Sequence, residues 1–361
     1  MRHLLTAIVV CATATCAAAV SASAAVPPGL GARLIDGYIR PATGHFANSA
    51  AALSGDLDRL CKAPDQTRMD TVRQRFDDVV DAWFRISFLR FGPLIEDNRF
   101  ERIFFWPDPR GVILRQVGEI IAKKDGDAID PAKLAGKSVA VQGLPALEYA
   151  LYGTGASSIV DGTEEGRFRC GYALSISIVI AENAAAVARA WSPDSDYARE
   201  FADPGPDNRI YRSPEEVATE AIKALAGGMT YLADAVIAPF VGKEPEQANA
   251  RLAPLWRSGT TIRAIRRSVE GLRDFYTTTG FAQSFGEADH WIDGSLRLEM
   301  RRVLETLDRI DMPLEEAVSP GPGREALVYV VIALKSLHTT LDNRLAQAVG
   351  VSVGFNALDG D

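Results

Sequence analysis

Side chains that build metal centres and nucleophilic sites are scarce in this chain. Four histidines and four cysteines occur among 361 residues, and His3, Cys11 and Cys16 fall in an apolar N-terminal stretch. The remainder, His45, His290, His338, Cys61 and Cys170, show no close ligand spacing, which argues against a zinc site. There is no H-E-x-x-H, no G-x-S-x-G, no Walker loop and no dinucleotide fingerprint, so the commonest hydrolytic and nucleotide-dependent sites have no basis here. Positive charge is also short: 39 Lys and Arg against 47 Asp and Glu give a net charge of −8 without a basic cluster. No nucleic-acid partner is expected. Strand-type alternation is nearly absent. Beyond the N-terminal stretch no membrane span is expected either. The best approach to one, Tyr172 to Trp191, is interrupted by Glu182, Asn183 and Arg189. A charge at mid-bilayer costs roughly 2.5–3.5 kcal/mol, so a buried helix is the better reading.

What is present begins with an export signal. Arg2 and His3 precede the apolar run Leu4 to Val20, and Ser21 to Ala25 follow as a small-residue stretch. That order is the layout of a secretory signal peptide, with an A-x-A-like cut at Ala22-Ser23-Ala24. Residues 1–24 are expected to be removed and the mature protein to reside in the periplasm. Neither Cys11 nor Cys16 has the preceding residues of a lipoprotein cut, so lipidation is not expected. Cys61 and Cys170 survive cleavage. In an oxidising compartment such a pair forms a disulfide, the alternative being two buried thiols.

Helical periodicity dominates the mature chain and predicts an all-α protein. Helices are expected from about Gly31 to Leu60, Thr67 to Phe88, Arg110 to Lys123 and Phe168 to Trp191. A further set is expected near Pro214 to Ala238, Thr260 to Thr278, Glu287 to Asp308 and Arg324 to Val349. Between the sets, residues 192–213 contain Pro193, Pro204 and Pro206 and read as a linker. The organisation expected is two packed helical bundles, 25–191 and 214–361, with a cleft between them. Ser213-Pro214-Glu215-Glu216 reads as a well-formed helix start.

The densest functional-looking stretch runs from Glu96 to Arg110, with three arginines and four aromatics in a non-repetitive segment. Arginine forks suit carboxylates and anions; the plainer reading is a buried connection in which Arg99 and Arg102 pair with acids. A second candidate is Gln142-Gly143-Leu144-Pro145-Ala146-Leu147-Glu148, where Pro145 suits the first turn of a helix. Glu148 then falls near that helix's start, where an acid is favoured by the dipole without any further role.

Together these segments resemble the imelysin-like family, also called peptidase M75. The matching pieces are Arg90-Phe91-Gly92-Pro93, the Asn98 to Arg110 block, Gln142 to Tyr149, and the C-terminal Gly354 to Asp361. The resemblance covers essentially the whole mature chain. It implies two helical bundles, an envelope location and, in several members, a link to iron acquisition. The family signature is G-x-H-x-x-E, with His and Glu as proposed metal ligands or active-site residues. Gly143 and Glu148 match its ends, but Pro145 stands at the His position. Proline cannot bind a metal, and one carboxylate does not make the usual three-ligand site.

The leading expectation is therefore a non-catalytic binding or accessory protein of metal (iron) uptake. Its cleft is expected to be lined by Glu148, Gln142, Arg99, Arg102, Trp106 and Asp108. Glu148 is the residue expected to meet an iron or other divalent ion, or a cationic ligand group. A metallopeptidase and a docking partner of an envelope transport component are the alternatives.

Overall fold

A computed structural model describes residues 26–352. The expected signal peptide and the Gly354 to Asp361 segment lie outside the described residues. Among those described there is helix, turn and loop but no strand, as the periodicity predicts.

The first rod, α1, consists of Leu30–Leu34, a π-helical segment Ile35–Ile39 and Arg40–Lys62, joined without leaving helical backbone angles. Asp65 caps α2 (Gln66–Ile86) by accepting from Arg68 N–H. The helix buries Val72, Phe76, Val79, Val80 and Trp83 at three- and four-residue spacing, so one stripe faces the core. Next come α3 (Val112–Lys123), α4 (Leu144–Tyr152) and α5 (Glu164–Ala190). Thr163 caps α5 through Gly166 N–H, which starts the helix earlier than its apolar periodicity suggests. Then α6 runs through Pro214–Thr230, a π-helical Tyr231–Ile237 and Ala238–Val241. The last three are α7 (Thr261–Thr279), α8 (His290–Leu307) and α9, the latter formed by Pro322–Thr339, a π-helical Thr340–Leu345 and Ala346–Val349.

Helix α1 packs on α2 and α5, while α9 packs on α6 and α8; α7 touches both groups, lying against α2 and α8. The buried apolar residues form one continuous core from Val26 to Val349. Cys61 and Cys170 are disulfide-bonded, with Cα atoms 5.5 Å apart, and tie the end of α1 to α5. Two helical stretches, Glu164–Ala190 and Pro214–Val241, are long and apolar enough to cross a membrane. More than half of each apolar window is nevertheless buried against the rest of the protein, as in a core helix.

The stretch 192–213 is built into the core through Ala198, Phe201 and Tyr211. It contains the helix Asp196–Ala202 and an aromatic cluster in which Phe201 stacks on Phe91 and meets Trp191 and Tyr211 edge-on. Ser213 occupies the N-cap of α6 but makes no side-chain cap bond; Glu216 reaches back to accept from Arg212 N–H instead.

The α2–α7 contact is a charged seam. Arg263 donates to both oxygens of Asp81 at 2.7 Å, and Arg267 reaches the same carboxylate at 3.0 Å. Arg85 on α2 is paired with Glu270 and Asp274 of α7. Gly271 allows this approach, because a Cβ there would sit 2.4 Å from the Arg85 carbonyl oxygen.

Candidate functional site

The site is built on the start of α4. Gly143 has φ 130°, and a Cβ at that position would lie 2.7 Å from the carbonyl oxygens of Arg102 and Ile103, so the turn requires glycine. Pro145 follows in the first turn of the helix. One turn later Glu148 is 2% exposed. Its Oε1 accepts from the Ser258 backbone N–H at 2.9 Å and from the Ser258 hydroxyl at 3.1 Å, and Oε2 lies 3.9 Å from Arg257 Nη1. Burial pushes the Glu148 carboxyl above its usual range, and the Ser258 donors and the Arg257 cation only partly oppose that rise.

Glu148 forms part of the wall of a cavity of about 530 Å³ where the Trp106 to Leu114 segment and α4 meet α6 and the loop before α7. Trp106, Tyr149 and Trp256 supply aromatic surface, with Pro107, Pro109 and Pro145 beside them. Trp106 is held by α6: its Nε1 donates to Ala235 O at 3.1 Å, and Tyr231 donates to Trp106 O at 3.2 Å. Both partners belong to the π-helical turn of α6, and π-turns are frequent at functional sites. Arg257 lies over the rings of Tyr149 and Trp256, 5.1 and 4.5 Å from their centroids, and Arg251 lies 5.6 Å from the Trp256 centroid.

Of the residues expected to line a cleft, Glu148, Trp106 and Asp108 do so. Asp108 is also a helix cap, its two oxygens each accepting at 2.8 Å from Val112 N–H and Ile113 N–H. The other three are not in the wall of this cavity. Arg99 pairs with Glu96 and Asp97 and donates to Pro93 O. Arg102 donates to the carbonyls of Asp97 and Ala135 and to Gln142 Oε1. Gln142 is fully buried and donates to the Lys137 carbonyl at 2.8 Å. A buried polar side chain demands partners, and here these three find theirs within their own neighbourhood.

The residues that complete the cavity, Arg251, Trp256 and Arg257, come from the loop between α6 and α7, as does Ser258, which holds Glu148. That loop's signal was the same as that of the Glu96 to Arg110 stretch: arginines beside tryptophan in a segment without apolar repetition. Leu255 in that loop has φ 59°, a left-handed conformation costly for a leucine and concentrated at ligand sites.

The donor set does not fit a resident metal ion. Among the described residues no group of three or more His, Cys, Asp or Glu side chains is placed to hold one. Glu148 already accepts two hydrogen bonds from Ser258, and buried Pro145 occupies the signature's His position. The expectation that Glu148 itself serves as a metal ligand therefore lacks companion donors.

Fold and site define an all-helical protein with a ligand-sized cavity at the meeting of two helix groups. The chain belongs to the imelysin family (peptidase M75), whose model matches residues 39–341. In structure it is similar to an imelysin-like protein from Psychrobacter arcticum 273-4, with 18% identity and a TM-score of 0.74 over 90% of this chain and 96% of that one. It is also similar to a protein of Parabacteroides distasonis ATCC 8503 described as a "putative iron-regulated protein A precursor". There the identity is 12% and the TM-score 0.68, over 87% of this chain and 94% of the other. At these identities the likeness concerns the fold. No curated protein matches the chain in sequence.

Proposed function

We propose that this protein is exported to the periplasm and serves iron acquisition as a non-catalytic binding component, holding a small ligand in the cavity beside Glu148. The observation that carries this reading is the cavity itself. Its volume of about 530 Å³ lies within the range of small-molecule sites, which are largely apolar with a few placed polar groups. Glu148 is fixed by Ser258 before any ligand arrives, so the wall is preorganised. Support for the iron context comes from the family and from the structural relative described as iron-regulated. Support for export comes from the Arg2 to Ala25 layout.

A peptidase of the metal-dependent kind needs several protein ligands around an open coordination position, and Pro145 with the engaged Glu148 does not supply them. Iron in this reading is cargo that brings its own donor atoms.

The test is uptake of radioactive iron by cells under iron limitation. Deleting the gene should slow uptake; the wild-type chain should restore it, and Glu148→Ala, exported to the same level, should not. Unchanged uptake in the deletion strain would remove the iron role.

A further inference from the structure

We infer that the cavity takes a planar aromatic carboxylate, with the ring between Trp106 and Trp256 and the carboxylate on the Arg251–Arg257 pair. The inference rests on the binding reading above and names its ligand class.

Charge complementarity comes first. Three acids line the same cavity, and each is already engaged. Glu148 accepts from Ser258, Asp108 caps α3, and Asp234 pairs with Lys335 at 2.7 Å. The cations are not matched in this way. Among the described residues Arg251 has no carboxylate within ion-pair distance, and Arg257 has only Glu148 Oε2 at 3.9 Å. Both guanidinium groups therefore keep N–H donors with no close carboxylate, the nearest to Arg257 being Glu148, while the three acids already accept from other donors. A guanidinium is a flat fork that fits a carboxylate with two parallel bonds.

Shape and polarity come second. Arg251 and Arg257 both lie against Trp256, and Arg257 also lies against Tyr149. Stacking of this kind holds the guanidinium groups in place while leaving N–H groups free to donate. The remaining surface is mostly apolar, from Trp106, the prolines and Leu114. A ligand with one charged end and a flat apolar body satisfies both halves of this wall. An ortho-hydroxy carboxylate of the same class would also carry ferric iron on its own oxygens, which are the donors a hard cation takes. That would account for a cavity poor in protein ligands.

The experiment is calorimetric titration of the mature protein with 3-hydroxy-2-naphthoate, its ferric complex, the neutral 3-hydroxy-2-naphthamide and ferric iron alone. The acid should bind one to one, and the amide about tenfold more weakly, the loss of one charge-assisted contact. Arg251→Ala and Arg257→Ala should each weaken the acid about tenfold and leave the amide nearly unchanged. Trp256→Ala should weaken both. Thermal melts of each variant separate misfolding from loss of binding. Equal affinity for acid and amide, or an acid affinity indifferent to both arginines, overturns the assignment. If iron alone binds through Glu148 and neither naphthyl compound does, the ligand class is wrong while the binding reading stands. If nothing binds, both fall.

Discussion

The α2–α7 seam and the cavity beside α4 both join the earlier helices to the later ones, and they do so by opposite means. In the seam, Asp77, Asp81 and Arg85 recur at four-residue spacing on α2. They meet Arg263, Arg267, Glu270 and Asp274, which recur at three and four on α7. Two regular surfaces approach until Gly271 rests on the Arg85 carbonyl. At the cavity, irregular segments meet instead. Trp106 reaches across to Ala235, and Ser258 reaches across to Glu148. Periodic surfaces close a joint; anchored loops keep one open.

The largest expected effect lies outside both joints and tests whether they stand or fall together. Replacing Cys61 and Cys170 by alanine releases a link of sequence separation 109, worth about 4–5 kcal/mol in the chain-entropy model. Chemical denaturation should show one earlier transition, with seam and cavity lost at the same midpoint. Separate transitions would mean that the two contacts belong to independently folding units.

Gly271→Leu strikes the seam alone. Its side chain would collide with the Arg85 backbone, and overpacking of this kind costs about 3 kcal/mol or more. The melting temperature should drop sharply.

Asp81→Ala leaves Arg263 and Arg267 without their shared carboxylate. The pair is half-exposed, so the loss should be about 1–2 kcal/mol and should shrink at high salt. Ligand affinity at the cavity should not change.

Glu148→Gln is the subtlest. Burial raises the Glu148 carboxyl in the folded state, so the folded protein binds this proton more tightly than the unfolded chain does. The resulting stabilisation is present at acid pH and is lost as pH climbs through the unfolded value towards the raised folded one. The variant lacks this loss, so it should gain on the wild type as pH rises from the unfolded carboxylate value, about 4, up through the raised folded one. Melting temperatures across that range measure it, and a constant gap would show an ordinary carboxylate.

The contrast between the joints also governs how much could be read from the sequence. The helices were legible because burial repeats with the helical period: Val72, Phe76, Val80 and Trp83 announce their own face. The π-helical turns were not, since they leave that pattern almost unchanged. At the site, Trp106, Asp108 and Glu148 were identified from the segments that carry the family resemblance. Arg99, Arg102 and Gln142 come from the same segments, yet their partners are Glu96, Asp97, Lys137 and each other. Residue type alone does not distinguish a side chain that faces a cavity from one that braces the backbone behind it. Ser258 was out of reach because its importance depends on Glu148, 110 positions earlier.

That last separation bears on the order in which the molecule is assembled. Glu148 and Ser258 are 110 residues apart, so a growing chain that ends after α5 has already made the acid but not its donors. Until the loop before α7 arrives, that carboxylate must stay wet or take up a proton, and half the cavity wall does not exist. The cavity is therefore a joint product of the earlier and later helices, closed only once the loop before α7 is in place.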